Sequence, residues 1–275
     1  MLRSLYSGVS GLRSFQTKLD VIGDNIANVN TVGFKGSRVM FQDVLSQTVA
    51  GATGPADDRG GTNPRQIGLG TTIGSIDVLH TPGSWMTTNV PTDLAIEGEG
   101  FFVVEDQTGQ RFLTRAGNFY IDADRNLVTS GGLRVVGTDG NTIQLGNPNI
   151  DIESFEIGRD GTITVTFADG EEEFGPIALV KIDNPSGLQK VGNSLYSPTP
   201  NADSDITDSD SILENLSTPG EDGTGQLITG VLEMSNVDLA AEFTEMIVAQ
   251  RAFQANSRII TTSDEVLQEL VNLKR

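Results

Sequence analysis

Asp122-Ala-Asp124-Arg-Asn126 has the oxygen-ligand spacing with which a calcium loop begins. Such a loop also needs Gly at its sixth position and a bidentate Glu at its twelfth. The chain has Leu127 and Leu133 there, so the stretch reads as a hairpin turn. Asp203, Asp205, Asp208 and Asp210 could draw a cation weakly, but in a Ser, Thr, Pro, Asp and Gly-rich run they read as a solvated loop. Glu97 and Glu99 have the residue types for glycoside hydrolysis, which needs two carboxylates flanking a bond. With 37 acidic residues in 275, such pairs arise by chance, and no enzyme is predicted. Glu171 to Glu173 read as an exposed turn, and Gly68-Leu-Gly70 lacks the strand-then-helix setting of a dinucleotide fingerprint. The chain has no Cys and a single His, His80. Thiolate sites are excluded, and catalytic dyads and His-based metal sites have too few residues to build. No catalytic residue, cofactor or metal is assigned.

Long apolar seams are the stronger signal. Asp238 is a good N-cap, and the residues after it run to Leu273 without Gly or Pro. Leu239, Phe243, Met246, Phe253, Ile260, Leu267 and Val271 form one three-and-four seam, with Gln250, Ser257 and Asp264 in its remaining positions. Ala249, Ala252, Ile259, Val266, Leu270 and Leu273 form a second beside it. The helix would be roughly 54 Å long, more than a small domain covers. At the other end, Leu12, Phe15, Leu19, Ile22, Ile26 and Val29 make a similar seam, extended by Leu2, Leu5 and Val9. Gly8, Gly11 and Gly23 interrupt it at about 1 kcal/mol each. Six buried seam side chains return on the order of 9–18 kcal/mol, so the helix is predicted to form with a partner and to be weak alone.

Between the ends the period changes. Asn28 to Lys35 is rich in cap and turn residues and ends the first helix. Phe41, Val44, Leu45 and Val49 read as a short amphipathic piece, and residues 50–72, rich in Gly, as a linker or arm. From Ile73 onward, short strands alternate with Gly and Asp turns, and Leu227 to Met234 reads as a last strand. The predicted fold is mixed α and β: terminal helices forming a coiled-coil stalk, with a central antiparallel β-domain. The expected boundaries are 1–32 and 237–275 for the helical domain, 33–72 for the arm and 73–236 for the β-domain.

The net charge is −19, concentrated in residues 46–232, which hold nine basic and 27 acidic side chains. That argues against nucleic acid as a partner. It fits either a solvated exterior between packing ends or a general adaptation to salt. No apolar run is long enough to span a bilayer, and Met1-Leu-Arg-Ser lacks the apolar region of a secretory signal peptide. A monomeric binding protein would have no use for such long uncovered helices, which favours self-association.

Leu19-Asp-Val-Ile-Gly-Asp-Asn25-Ile-Ala-Asn28-Val-Asn30-Thr31-Val-Gly33-Phe34-Lys35 resembles the N-terminal signature of the bacterial flagellar rod and hook family. Asp93 to Phe102, Thr114-Arg-Ala-Gly-Asn-Phe119 and Leu127-Val-Thr resemble that family's shared β-domain, and Glu233 to Phe253 its C-terminal signature. The resemblance implies a non-enzymatic subunit that polymerises with itself into an axial tube, its end helices forming the inner layer. It implies export through the flagellar type III apparatus without a cleaved signal, and a place in the extracellular hook-basal body. Implied partners are neighbouring axial proteins of the rod and hook-filament junction, the hook cap and the export apparatus. No cofactor, nucleic acid or small-molecule substrate is implied. Gly60 to Gly70 and Ile259 to Arg275 look most like short hook proteins of Gram-positive bacteria, so the favoured reading is a flexible hook joint that transmits torque. The alternative is the distal rod protein, and residues 46–72 are where a difference between bending and straight tubes is expected.

Overall fold

The computed structural model describes residues 2–55, 60–146, 152–167 and 170–273. The last two residues of the closing motif, Lys274 and Arg275, lie outside them. The chain divides into two compact units, each interrupted in sequence. Unit 1 holds residues 1–27, 37–78 and 238–275, and unit 2 holds residues 28–36 and 79–237.

Unit 1 contains α1 (Leu2–Ala27), β1 (Ser37–Asp43), β2 (Ser46–Ala50), β3 (Arg65–Gly68), β4 (Thr71–Val78) and α2 (Leu239–Leu273). Asp238 caps α2 as its residue type predicts, its carboxylate accepting the Ala240 and Ala241 N–H groups at 2.9 and 3.4 Å. The two helices pack antiparallel. The Lys18 ammonium meets the Glu245 carboxylate at 2.6 Å, and Gly8 lies against Asn256 and Ile260. A Cβ added at Gly11 would sit 2.9 Å from Asn256 Nδ2. These two glycines let the helix backbones approach, which answers their propensity cost. Gly23 differs, since nothing lies within 4 Å of where its Cβ would be. Gly23→Ala is therefore expected to stabilise α1 by about 0.5–1 kcal/mol, and Gly11→Leu to part the helices. Far-UV circular dichroism melts of the single chain check both. Equal effects would mean that Gly11 does not pack against α2.

The expected 33–72 arm is paired strand over 37–43, 46–50, 65–68 and from Thr71, and its residues 56–59 lie outside the described ones. β1 pairs antiparallel with β4 through a bulge at Met40/Phe41, and β2 pairs with β3. The ladders supply hydrogen-bond partners that an extended arm would have to find in water. The run at Ile73, assigned from sequence to the β-domain, belongs to unit 1 because its partner is β1. Phe41 and Val49 of the expected short amphipathic piece lie on strands β1 and β2.

Unit 2 contains β5 (Trp85–Thr87), β6 (Leu94–Glu97), β7 (Phe101–Glu105), β8 (Arg111–Thr114), β9 (Phe119–Ile121) and β10 (Leu127–Thr129). It continues with β11 (Arg134–Val135), β12 (Ile152–Ile157), β13 (Ile163–Phe167), β14 (Gly170–Phe174) and β15 (Leu179–Val180). β16 (Gln189–Gly192), β17 (Leu195–Ser197), β18 (Gln226–Thr229) and β19 (Val231–Glu233) complete it. The largest sheet has the order β16-β17-β8-β7-β11-β10-β9, with β15 also on β7. On β7, Phe102 and Val104 enter one apolar cluster, and Phe101 and Val103 enter a second on the opposite face. Burial of both faces explains the unbroken Phe-Phe-Val-Val run. The mixed class, with helices at both ends and antiparallel sheets between, is as the sequence predicts.

The acidic motifs resolve into ordinary structure. Asp122 to Asn126 is a hairpin turn, with the Asp122 N–H donating to the Asn126 carbonyl at 3.0 Å. Glu171 to Glu173 form strand β14 at the edge of a three-stranded sheet, not a turn, because each pairs with β13. Exposed carboxylates along an edge strand guard it against further pairing. The Ser, Thr, Pro, Asp and Gly-rich run at 197–225, expected as a surface loop, holds a 3-10 turn at Ser211–Asn215 and carries core: Ala202, Ile206 and Ile212 are buried. Among the described residues, no group of three or more His, Cys, Asp or Glu side chains could hold a metal.

Candidate functional site

Two arrangements bear on function, one in each unit. The first is the α1/α2 pair. The stripe that α2 turns toward α1 includes Met246, Ala249, Asn256, Ile260, Ser263 and Leu267, none of them exposed. Met246, Ile260 and Leu267 come from the predicted first seam. Ala249, Asn256 and Ser263, none of them exposed, replace its exposed Gln250, Ser257 and Asp264 positions, and Asn256 is the one that Gly8 and Gly11 of α1 approach closely. Leu239, Phe243, Phe253, Leu270 and Val271 are 37–67% exposed, so the single chain leaves much of the predicted seam uncovered. On α1, Ile22 is buried, and Leu12, Phe15, Leu19 and Ile26 are half-buried. Val29 lies beyond the helix end, in unit 2.

The helices differ in length, 26 residues against 35. Gly8 of α1 is opposite Asn256 and Ile260 of α2, and α1 starts six residues before Gly8. The end of α2 from about residue 266 therefore extends past its partner. That end carries Val266, Leu270, Val271 and Leu273, from 45% to 82% exposed.

Asn25, the first signature residue, is 2% exposed and works as a staple within unit 1. Its side-chain oxygen accepts the Ser37 N–H, and its amide donates to the Ser37 carbonyl, both at 2.9 Å. The same amide donates to Glu242 of α2 at 3.0 Å. Burial pushes the Glu242 carboxyl up, Asn25 opposes that, and Glu245 adds to it.

The second arrangement is a buried clasp in unit 2. The Lys35 ammonium and the Glu233 carboxylate, 198 residues apart in sequence, meet at 2.6 Å with both side chains 1% exposed. Lys35 also donates to the Thr81 carbonyl at 2.7 Å. Glu233 accepts the Gly83 N–H at 3.0 Å and faces Arg115 at 3.5 Å, while Arg115 donates to the Gly98 carbonyl at 2.7 Å. Burial lowers the pKa of Lys35 and Arg115, and Glu233 opposes that shift in both.

The backbone around the clasp is fixed by the same signatures. Gly33 has φ +66° and donates its N–H to the Glu233 carbonyl at 2.8 Å. A Cβ there would lie 2.6 Å from the Ala116 nitrogen, so only glycine fits. Phe34 is buried beneath the Lys190 ammonium, 3.8 Å from its ring centre. Asn28 and Thr31 join through their side chains at 3.1 Å, and Asn30 is exposed. Asn236 accepts the Gly36 N–H at 2.8 Å and donates to the Leu79 carbonyl at 2.8 Å, tying together three separate stretches of unit 2.

The N-terminal signature singles out Lys35, Gly33 and Phe34, but nothing in their spacing identifies Glu233, Arg115 and Asn236 as the residues that meet this segment. Glu233, Arg115 and Asn236 stood inside the recognised motifs, which was the available signal. Glu97 and Glu99 do not assemble a carboxylate pair around a cleft: Glu97 is exposed on β6, and Glu99 lies 3.4 Å from Lys181 at the surface.

The chain matches three family descriptions in sequence. These are a flagella basal body rod protein segment over residues 5–35, a flagellar hook protein FlgE/F/G D1 domain over 95–165, and a flagellar basal body rod FlgEFG protein C-terminal segment over 228–273. It is 52% identical over 276 residues to the flagellar basal-body rod protein FlgG of Bacillus subtilis, covering all of both chains. It is 37% identical over 285 residues to that of Borreliella burgdorferi, again over both full lengths. The flagellar hook protein FlgE of the same Borreliella strain is 30% identical across an alignment of 451 residues. The three matched segments contain the α1 signature, the Arg115 region and the Glu233 strand that the clasp joins, and on that ground the chain belongs to the flagellar rod and hook FlgE/F/G family of axial structural proteins.

Proposed function

We propose that this chain is a distal-rod subunit, polymerising into a straight axial segment of the flagellar basal body. The carrying observation is the full-length 52% identity to a rod protein, against 30% to a hook protein aligned over 451 residues. The hook reading taken from residues 60–70 and 259–275 gives way to this one. Those motifs are compatible with both proteins, whereas full-length identity favours the rod.

In this reading the α1/α2 pair is the assembly element. The uncovered end of α2 packs on α1 and α2 of other copies, which the single chain cannot supply. The β2–β3 ribbon is the second. Every residue of both strands is exposed, including Val49 and Ile67, and an isolated two-stranded ribbon is marginal in water. It is assigned to bridging a neighbouring copy and so to holding the tube straight. Adjacent axial proteins and the flagellar export apparatus are the other partners. The chain works by packing and load transfer, with no substrate. Electron microscopy of tubes assembled from the full chain tests the assignment. Straight, stiff tubes are expected, and curved, flexible ones would return the reading to a hook.

A further inference from the structure

His80, the only histidine, belongs to unit 2 and has no part in the assembly elements above. Its ring meets Phe101 and Tyr196 edge-on, at centroid distances of 5.7 and 5.3 Å, and those two rings meet each other at 5.9 Å. Both imidazole nitrogens are shut from solvent without a hydrogen-bond partner of normal geometry. The Tyr196 hydroxyl is likewise buried and unpartnered. The charged groups acting on the ring are Lys35 from segment 28–36, Arg115 after β8 and Lys190 on β16, all cations. Glu233 is engaged by Lys35, Arg115 and the Gly83 N–H. The Pro185 carbonyl alone favours a charged ring, and it is the smallest influence.

We propose that His80 is an acid-sensitive latch on the clasp. Neutral, it packs as the third ring of an aromatic trio. Protonated, it adds a cation beside Lys35, Arg115 and Lys190 and loosens segment 28–36 from unit 2. The segment is held there by the Lys35–Glu233 pair and by the Gly33 and Gly36 N–H bonds. Opening exposes the imidazole to water and relieves the crowding of like charge, so the open form takes up the proton more readily.

The sign of the effect follows from linkage. Burial first, then the three cations, hold His80 at about 4 against its ordinary 6.5. Between those values the open form carries a proton that the closed form does not. The clasp is fully stable above about pH 6.5, weakens about tenfold per pH unit as the solution is acidified, and levels off below about pH 4.

The test uses the full-length monomer and does not depend on polymerisation. A lone histidine gives one imidazole resonance, expected to titrate near 4 and not near 6.5. Hydrogen exchange at the Gly33 and Gly36 amides, corrected for intrinsic rate, should lose about tenfold protection per unit from about pH 6 to about 4.5. His80→Phe should make that profile flat. Lys190→Gln should raise the imidazole midpoint and shrink the loss, which decides the matter if His80→Phe does not fold. A midpoint near 6.5, or the same slope in His80→Phe, would overturn the proposal, the latter because a carboxylate would then be responsible.

Discussion

Leu270→Asp leaves a soluble chain whose unit 2 melts as the unaltered protein does, yet no tubes form. Leu270 is 52% exposed on the end of α2 that extends past α1, so the single chain loses little when it is replaced. One Asp also lowers helix propensity by only about 0.7 kcal/mol relative to Ala. In the assembled tube the position is assigned to an apolar layer made by other copies. A carboxylate left there without a partner costs several kcal/mol, and every subunit repeats it. A penalty of about 3 kcal/mol weakens each association more than 100-fold. Sedimentation and a thermal melt on one sample separate the possibilities. Normal tubes would show that the end of α2 is not an interface. Loss of the unit 2 transition would show that the helix is needed for that unit's fold.

The second large effect is at the clasp, and its order decides how the charges are shared. Glu233→Gln is expected to destabilise unit 2 by about 3–5 kcal/mol, because it leaves the buried Lys35 and Arg115 with no carboxylate. Lys35→Met should cost less, about 1–2 kcal/mol, since Glu233 keeps Arg115 at 3.5 Å and the Gly83 N–H at 3.0 Å. For a unit of this size each kcal/mol moves Tm by roughly 2–4 °C, so the first variant should melt at least 6 °C lower. Calorimetry of the full chain reads the difference. Equal shifts, or a larger one for Lys35→Met, would mean that Arg115 does not share the Glu233 charge.

Segment 28–36 reads from sequence as the cap and turn that end the first helix, divided between the helical domain and the arm, and it is in fact part of the β-sheet unit. The nine residues leave unit 1 at Ala27 and return at Ser37, and Asn25 binds the returning residue. The N-terminal and C-terminal signatures are thus joined chemically by Lys35 and Glu233 within one folded unit.

Local physics made a large part of this protein legible in its sequence. The three-and-four spacing of apolar residues located both helices, Asp238 located the start of α2, and short strands between Gly and Asp turns marked the antiparallel β-domain. Leu127 and Leu133 ruled out the calcium loop, because that chemistry demands particular residues at fixed offsets. The separated signatures carried the family. Tertiary structure decided the rest. Periodicity shows that α2 has an apolar side but not which line of it faces α1; the packed pair turned Met246, Ala249, Asn256 and Ile260 inward, with Asn256 close to Gly8 and Gly11. The run at Ile73 has strand character wherever it lies, and only its ladder with β1 placed it in unit 1. Nothing near Lys35 in sequence marks it as buried, because a buried ammonium needs a counter-charge, and its own was 198 residues away, brought to 2.6 Å by the folding of β19 against β5.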